Sequence, residues 1–258
     1  MTILAASMGA VGPMSTGAAD PVALSIYNKL VSWWEMDEAS GSRNDSKGTN
    51  HLAVAGTVAT AEGARGPGDV AAAFAGAGSL FRASNSSLQV PAGGGDHCLF
   101  GWFYASSMTG VQWVAGKWDA TSAVSLEYGL DIESGELLAQ NGGSTYFYPN
   151  PGPTPDAEAW HFAIMWRDAG DGEGEDDGKV RMSVDGGPTF LSAAASNPGG
   201  GGGSALQFGR VNAVLGLGGR LQRWGWIKDG FLSEEERTYL YNEGAGLKWA
   251  ELAAAAGI

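Results

Sequence analysis

Two strand-like segments joined by an acidic run constrain the fold of this 258-residue chain more than any other stretch. Residues 160–166 are rich in aromatic and β-branched residues, and residues 179–185 alternate apolar with polar side chains, as a half-buried strand does. The run between them, residues 168–178, is mostly Asp, Glu and Gly and cannot bury apolar surface. We therefore predict two antiparallel strands and a long solvated loop.

The same pattern of short strands and turns continues along the chain. Asp185-Gly186 favours the positive φ angles of a tight turn, so the chain should return directly into another strand. With 42 glycines, ten prolines, 17% charged and 44% hydrophobic residues, the composition fits many short strands around a substantial core. We predict an all-β, antiparallel sandwich with strands at residues 30–37, 52–54, 71–74, 80–81, 88–90, 99–104, 111–115, 125–132, 136–140, 206–209 and 221–227.

Short helices are predicted near both ends of the chain. Asp20-Pro21 is typical of a helix start, and Ser233 with Glu236 forms a capping box whose helix should run to about Asn242 and stop at Gly244. A further helical turn is predicted within residues 247–256. We divide the chain into an N-terminal arm and short helix (1–29), a sandwich (30–245) and a C-terminal tail (246–258).

Charge and apolar patterning exclude several classes of protein. The net charge is −13 and the fifteen Lys and Arg residues are scattered, which argues against nucleic acid as a partner. The single cysteine, Cys98, can form no intrachain disulfide. No stretch approaches the ~20 apolar residues of a membrane span, and the N-terminus lacks the basic region of a signal peptide. We expect the product to stay where it is made or to leave as part of an assembly.

The order of several short motifs resembles a known superfamily. The motifs are Trp-Glu-Met-Asp-Glu-Ala-Ser-Gly (34–41), Asp-Ser-Lys-Gly-Thr-Asn (45–50), Phe-Gly-Trp-Phe (100–103), Trp-His (160–161), Val-Asp-Gly (184–186), Phe-Gly (208–209) and Leu-Ser-Glu-Glu-Glu before Leu-Tyr-Asn (232–242). Together they resemble the laminin-G-like, concanavalin-A-like lectin/glucanase superfamily over about residues 30–246. The resemblance implies a jelly-roll sandwich of two antiparallel sheets, used mostly to bind carbohydrate or protein and less often to hydrolyse glycans.

The apolar N-terminal arm without a signal is similar to the versions of this superfamily found in bacteriophage structural genes. This analogy implies a non-enzymatic virion surface protein, either a head decoration or a fibre-like component. Its N-terminal arm or C-terminal tail would anchor it to capsid or tail proteins. We expect a homo-oligomer that contacts surface glycans. A free carbohydrate-binding module and a glycan hydrolase are the alternatives.

Catalysis in the hydrolytic branch of the superfamily depends on a strand motif of the form Glu-x-Asp-x-Glu, or the same motif with one extra residue before the last Glu. Glu35 and Asp37 fit its first two places and should share a face, but Ala39 or Ser40 occupies the third. The motif is therefore incomplete.

Two other candidate pairs also lack the arrangement that catalysis needs. Asp131 and Glu133 share a strand face at what is predicted to be a hairpin end. His97 cannot activate Cys98, because neighbours in a strand point to opposite faces. We expect a buried structural cysteine, no catalytic residues and no enzyme activity.

A calcium site is also disfavoured. Related domains often hold calcium with an Asp from the strand before the last helix, and the resemblance places Gln222 there. The acidic run at residues 168–177 lacks the spacing of a calcium loop and is predicted to be a solvated hairpin tip. We expect neither a metal site nor a cofactor.

Sugar recognition needs flat aromatic faces beside hydrogen-bonding groups. The best-placed candidates lie in predicted loops, while Trp33, Trp102, Trp160, Trp166 and Trp224 lie in strand patterns and should be core. Whether Trp118 and Tyr148 contact a ligand or a protein partner is left open. The candidate ligand-binding residues are Trp118, Asp119, Tyr146, Tyr148 and Asn150.

Overall fold

The structure is a computed structural model that describes residues 18–90, 94–118, 125–142, 151–170, 174–195, 202–211 and 215–258. The helices are α1 (Pro21–Lys29), α2 (Glu234–Tyr241) and α3 (Trp249–Ala255), with 3-10 turns at Ser86–Leu88 and Asn242–Gly244. The strands are β1 (Leu30–Trp34), β2 (Ala53–Ala55), β3 (Val58–Gly63), β4 (Gly66–Ala75), β5 (Ser79–Arg82), β6 (His97–Ala105), β7 (Val111–Lys117), β8 (Tyr128–Glu133), β9 (Glu136–Asn141), β10 (Trp160–Arg167), β11 (Lys179–Val184), β12 (Phe190–Ala195), β13 (Leu206–Phe208), β14 (Arg210–Val211), β15 (Leu215–Gly216) and β16 (Gly218–Lys228).

These strands form two antiparallel sheets and a small ribbon. One sheet has eight strands in the order β12-β11-β10-β6-β16-β4-β3, with β1 pairing to β16, and the other has six in the order β2-β5-β13-β7-β8-β9. The ribbon is β14 with β15. The main core joins the inner faces of both sheets, as in the contact between Trp34 and Phe208. The predicted all-β antiparallel sandwich is confirmed.

The eight-stranded sheet is buried on both faces. In β6, Leu99 and Phe103 point into the core between the sheets, whereas Cys98, Phe100 and Trp102 point to the outer face. The three helices cover that outer face, where α1, α2 and α3 contribute residues such as Ile26, Leu240 and Leu252. No helix in the described part of the chain is long and apolar enough to cross a membrane. The helices of the described residues lie on this outer face and not on the outer face of the six-stranded sheet.

The turn and cap signals of the sequence have the predicted structures. β10 and β11 pair antiparallel, and Asp185 (φ 52°) and Gly186 (φ 66°) form the tight turn that leads to β12. The Asp20 carboxylate accepts hydrogen bonds from the first-turn amides of α1, and Ser233 and Glu236 cap α2 reciprocally.

The Asp-Ser-Lys-Gly-Thr-Asn motif has a structural role. Asp45 is buried, and its carboxylate accepts hydrogen bonds from the backbone amides of Trp33, Lys47, Gly48 and Asn50 at 2.9–3.1 Å. One carboxylate thus satisfies four amides and fixes the loop against β1.

Several details of the predicted strand pattern are wrong. The first strand stops at Trp34 instead of residue 37, because Met36 adopts a left-handed conformation (φ 63°). The segment 88–90 forms no strand, and its first residue, Leu88, ends a 3-10 turn. The prediction lacks the short strands β14 and β15, and it lacks β3, which is built from small residues without strong apolar alternation.

Candidate functional site

The outer face of the six-stranded sheet carries a groove of about 620 Å³, here called the Trp118 groove. It lies where β5 and β13 meet the residues after β2 and after β7. Phe81 and Gln207 face each other across the β5–β13 pair and point outward, since Leu80, Leu206 and Phe208 point into the core. The described lining residues are Ala55, Gly56, Ala77, Ser79, Phe81, Trp118, Gly203, Ser204, Ala205, Gln207 and Arg210.

A pair of tryptophans supports one side of the groove. Trp113 lies over Gly129, where an added Cβ would clash with the indole ring. The Trp118 ring packs on Trp113 with centroids 5.4 Å apart and planes 42° apart. Trp118 thus lies just after β7, as predicted, but it is only 9% exposed because Trp113 covers it.

Polar groups are interleaved with these aromatic rings. The Gln207 side-chain amide donates to the Trp118 carbonyl (3.1 Å), and the Trp113 indole N–H donates to the Gln207 carbonyl (3.2 Å). Arg210 donates to the Ala77 carbonyl (2.7 Å) at the opposite wall, and the Ser204 hydroxyl donates to the Ser125 carbonyl (3.2 Å). The groove therefore combines apolar faces with donors and acceptors held in fixed positions.

A buried ion pair fixes the wall of the groove. Lys117 and Glu127 form this pair, and neither side chain is exposed to solvent. Lys117 also donates to the Gly202 carbonyl (3.0 Å), while Glu127 accepts from the Val90 amide (3.1 Å). Desolvation lowers the pKa of Lys117 and raises the pKa of Glu127, and their pairing opposes both shifts. The pair ties the end of β7 to the segment that leads into β13.

Sequence reasoning found only part of this groove. Trp118 lines it, whereas Asp119, Tyr146, Tyr148 and Asn150 lie outside the described residues. Phe81, Gln207 and Arg210 were missed. The alternation of side chains in strands could have placed Phe81 and Gln207 on outer faces, but no sequence signal brings β5 beside β13.

Glu35 and Asp37, which were predicted to share a strand face, lie outside any strand. Both follow the end of β1, and the left-handed Met36 between them turns the chain. Glu35 accepts hydrogen bonds from the Trp33 indole (2.9 Å) and from the Trp249 amide of α3. Burial, and to a smaller extent the charge of Asp37, raises the pKa of Glu35, and Asp37 is exposed. The predicted strand that would carry these two carboxylates is wrong.

The other two candidate carboxylates, Asp131 and Glu133, stand two residues apart in the regular register of β8 with β9 and so share a strand face, as predicted. Asp131 is buried on the outer face of β8, and desolvation, then the charge of Glu133, raises its pKa to about 8. Glu133 is exposed where β8 ends at the hairpin turn Ser134-Gly135, as predicted.

His97 and Cys98 point to opposite faces of β6, as predicted. His97 packs between Tyr128 and Trp226 on the inner face, and its burial lowers its pKa to about 4. Cys98 lies in the apolar layer beneath the helices, and burial raises the pKa of its thiol. Cys98 is therefore a buried structural residue.

The residues at the position that the sequence resemblance implies for calcium do not fit a cation. The Gln222 side chain accepts from the Ala64 amide (3.0 Å) and donates to the Val70 carbonyl (2.6 Å). The neighbouring Asp69 is paired with the Arg223 guanidinium at 2.6 Å, which supplies the positive charge there. Across the described residues, no group of three or more His, Cys, Asp or Glu side chains is placed to hold a metal ion.

Among known proteins, solved structures with a similar fold match this chain, whereas sequence comparisons find no relative. No protein-family model and no curated protein matches the sequence. Among solved structures, the chain is similar to domain 4 of an extracellular GH43 arabinanase from Geobacillus stearothermophilus, in complex with arabinotriose. The TM-score is 0.61 at 14% identity, over 82% of this chain and 97% of that one.

Two further similar structures are parts of longer chains. The receptor binding domain of botulinum neurotoxin C/D mosaic serotype has a TM-score of 0.56 at 12% identity, over 84% of this chain and 51% of that one. Trypanosoma rangeli sialidase has a TM-score of 0.57 at 12% identity, over 86% of this chain and 34% of that one. The chain therefore covers about half of the toxin domain and about one third of the sialidase, and it shares a β-sandwich fold with both.

Proposed function

We propose that this chain is a non-enzymatic, lectin-like module that binds a short stretch of glycan in the Trp118 groove. The observation that carries this proposal is the combination of Phe81 and Trp118 with Ser79, Gln207 and Arg210 in one groove. The apolar face of a sugar ring packs on aromatic side chains, while its hydroxyls need donors and acceptors at the rim. The groove offers both, on a sheet face that carries none of the helices of the described residues.

The likeness to the arabinanase domain supports this proposal. That domain was solved with arabinotriose, and this chain spans nearly its whole length. At 14% identity the likeness supports a common fold, and it identifies no binding residue in this chain. Arabino-oligosaccharides are therefore the first ligands to test, followed by a broad glycan array.

The absence of catalysis is part of the proposal. Glycosidases of this fold need two carboxyl groups flanking the scissile bond, and no carboxylate is among the described residues that line the groove. Glu35 is held by Trp33 and α3 instead. Turnover of a glucan or arabinan that disappears in a Glu35→Gln variant would contradict the proposal.

Removing the aromatic faces should abolish binding. We expect Phe81→Ala and Trp118→Ala each to weaken glycan binding at least tenfold, about the effect of losing one buried aromatic contact. The matched control is Trp160→Ala, a half-buried tryptophan on β10 of the other sheet, which should bind normally. Calorimetric titration of these three variants with the glycan measures the affinities. A fourth variant, Tyr148→Ala, tests the predicted ligand-binding residue that lies outside the described residues. Equal affinity in all variants would place the binding site elsewhere.

The bacteriophage setting stays a prediction from the sequence, and we propose residues 1–19 as the attachment segment. Deletion of these residues keeps Asp20, the N-cap of α1, so the truncated chain should melt like the full chain. It should no longer join the virion when co-expressed with capsid and tail proteins. Unchanged incorporation would assign attachment to another part of the chain.

A further inference from the structure

Within the part of the chain that the structure describes, five strands of the two sheets are paired on one side only. These edge strands are β12, β3 and β1 in the eight-stranded sheet, where β1 and β4 pair with different halves of β16, and β2 and β9 in the six-stranded sheet. An unpaired edge presents main-chain donors and acceptors and can add a strand from another chain, so proteins usually shorten, distort, charge or cover it. The five edges of this sandwich differ in that respect.

Four of the five edges are protected. The loop after β1 covers that strand, since the Ser46 amide donates to the Trp33 carbonyl (2.7 Å) and Trp34 forms an isolated bridge with Asp45. The segment 151–153 covers β9, where the Leu137 amide donates to the Pro153 carbonyl (2.8 Å). The register of β12 shifts, and the Ser192 hydroxyl there accepts from the Val180 amide and donates to the Ala194 carbonyl, which distorts the strand. β2 has only three residues.

The fifth edge, β3, is regular and uncharged from Val58 to Ala61, and its charged residue Glu62 lies beside a register shift at the end of the strand. Its residues from Val58 to Glu62 pair in one uninterrupted register with β4. Residues 52–61 contain no charged side chain, although the chain carries a net charge of −13. Thr57, Ala59 and Thr60 are exposed. A regular edge segment without charge, proline or bulge, such as Val58–Ala61, favours pairing with a partner strand.

We propose that a second copy of this chain pairs antiparallel with β3 about a two-fold axis, joining two eight-stranded sheets. Two identical antiparallel strands are self-complementary about such an axis. Centred on Thr60, the pairing sets Glu62 opposite Val58 of the second copy, so no like charges meet. Two acidic copies repel each other over most of their surfaces and can approach closely along this uncharged strip.

The neighbouring layer extends the same interface. β2 precedes β3 in the chain, and its exposed Ala53 and Ala55 continue the uncharged strip at the edge of the other sheet. Ala55 and Gly56 also line the Trp118 groove, so a dimer would carry two grooves beside its two-fold axis. Two linked grooves raise the avidity for a repeating glycan. This consequence rests on the proposed function, whereas the dimer itself does not.

Analytical ultracentrifugation of the full chain tests the proposal. We expect the wild type to sediment at twice the chain mass in the micromolar range, and the double variant Ala59→Lys, Thr60→Lys to dissociate at least about 100-fold more readily. The control is Ala193→Lys, Ala194→Lys on the distorted edge β12, whose alanines are also exposed. The added lysines make both variants less acidic, so a general charge effect would favour association.

A cross-link gives an independent readout. We expect Thr60→Cys to form a disulfide-linked dimer under mild oxidation, while the buried Cys98 does not react. Melting curves confirm that each variant is folded. A monomeric wild type would overturn the proposal, and so would equal behaviour of the β3 and β12 variants. Neither result bears on glycan binding, which the groove variants test separately.

Discussion

A Glu127→Leu substitution should lower the free energy of unfolding by about 3–5 kcal/mol, because it leaves the Lys117 ammonium buried without its counter-charge. Both side chains of the pair are inaccessible to solvent. Lys117→Met should cost a similar amount for the converse reason. The double variant should recover much of the loss, since removing both charges also removes both desolvation penalties. Urea unfolding of the four proteins gives this coupling energy.

An exposed ion pair provides the control. Lys179→Met breaks a pair with Asp176, whose side chain is half exposed, and should change stability by less than about 1 kcal/mol. A double variant whose loss of stability equals the sum of the losses of the two single variants would show that Lys117 and Glu127 do not act as a unit. The single variants should also weaken glycan binding, because Lys117 precedes Trp118 and holds Gly202 beside the groove. Binding should return in the double variant together with stability.

An Asp131→Asn substitution should raise the free energy of unfolding at neutral to slightly alkaline pH by about 2–4 kcal/mol. Folding raises the pKa of Asp131 from 3.8 to about 8, chiefly by desolvation. Between these two values the folded chain holds a proton that the unfolded chain releases, so the wild type loses stability as the pH rises through this window. Asparagine has a similar shape and does not titrate, so the variant lacks this loss.

The pH dependence of the free energy of unfolding identifies the cause of the stabilisation by Asp131→Asn. The two proteins should be about equally stable near pH 4 and should diverge up to about pH 8, the raised pKa of Asp131. Denaturant unfolding at a series of pH values measures the difference. Glu133→Gln, two residues away and exposed, should shift the profile only slightly. A constant difference between wild type and Asp131→Asn at every pH would exclude burial of the carboxylate as its source.

Local signals in the sequence predicted much of the fold because each acts over a few residues. The Asp185-Gly186 turn, the Asp20 cap and the Ser233–Glu236 box depend on neighbouring backbone groups and have the predicted structures. The aromatic alternation of residues 99–104 likewise predicted β6, which is buried on both faces.

What the sequence did not predict depends on contacts between distant segments. The Trp118 groove joins β5, β13 and the end of β7, which are far apart in the chain and meet only through the sheet order. Trp118 is covered by Trp113, and that packing requires the glycine at position 129 on the neighbouring strand. The turn at Met36 had no local signal either, because a left-handed conformation is uncommon for a methionine.

Glycan binding in the Trp118 groove is tested most directly by the indole signals of the ten tryptophans in an NMR titration with arabinotriose or with the best ligand from a glycan array. We predict saturable shifts of the Trp118 and Trp113 indole signals, which lie at the groove, and unchanged signals for Trp160 and Trp249, which lie on the other sheet and on α3. No shift with any glycan, or shifts confined to Trp160 and Trp249, would contradict a lectin-like role for this groove.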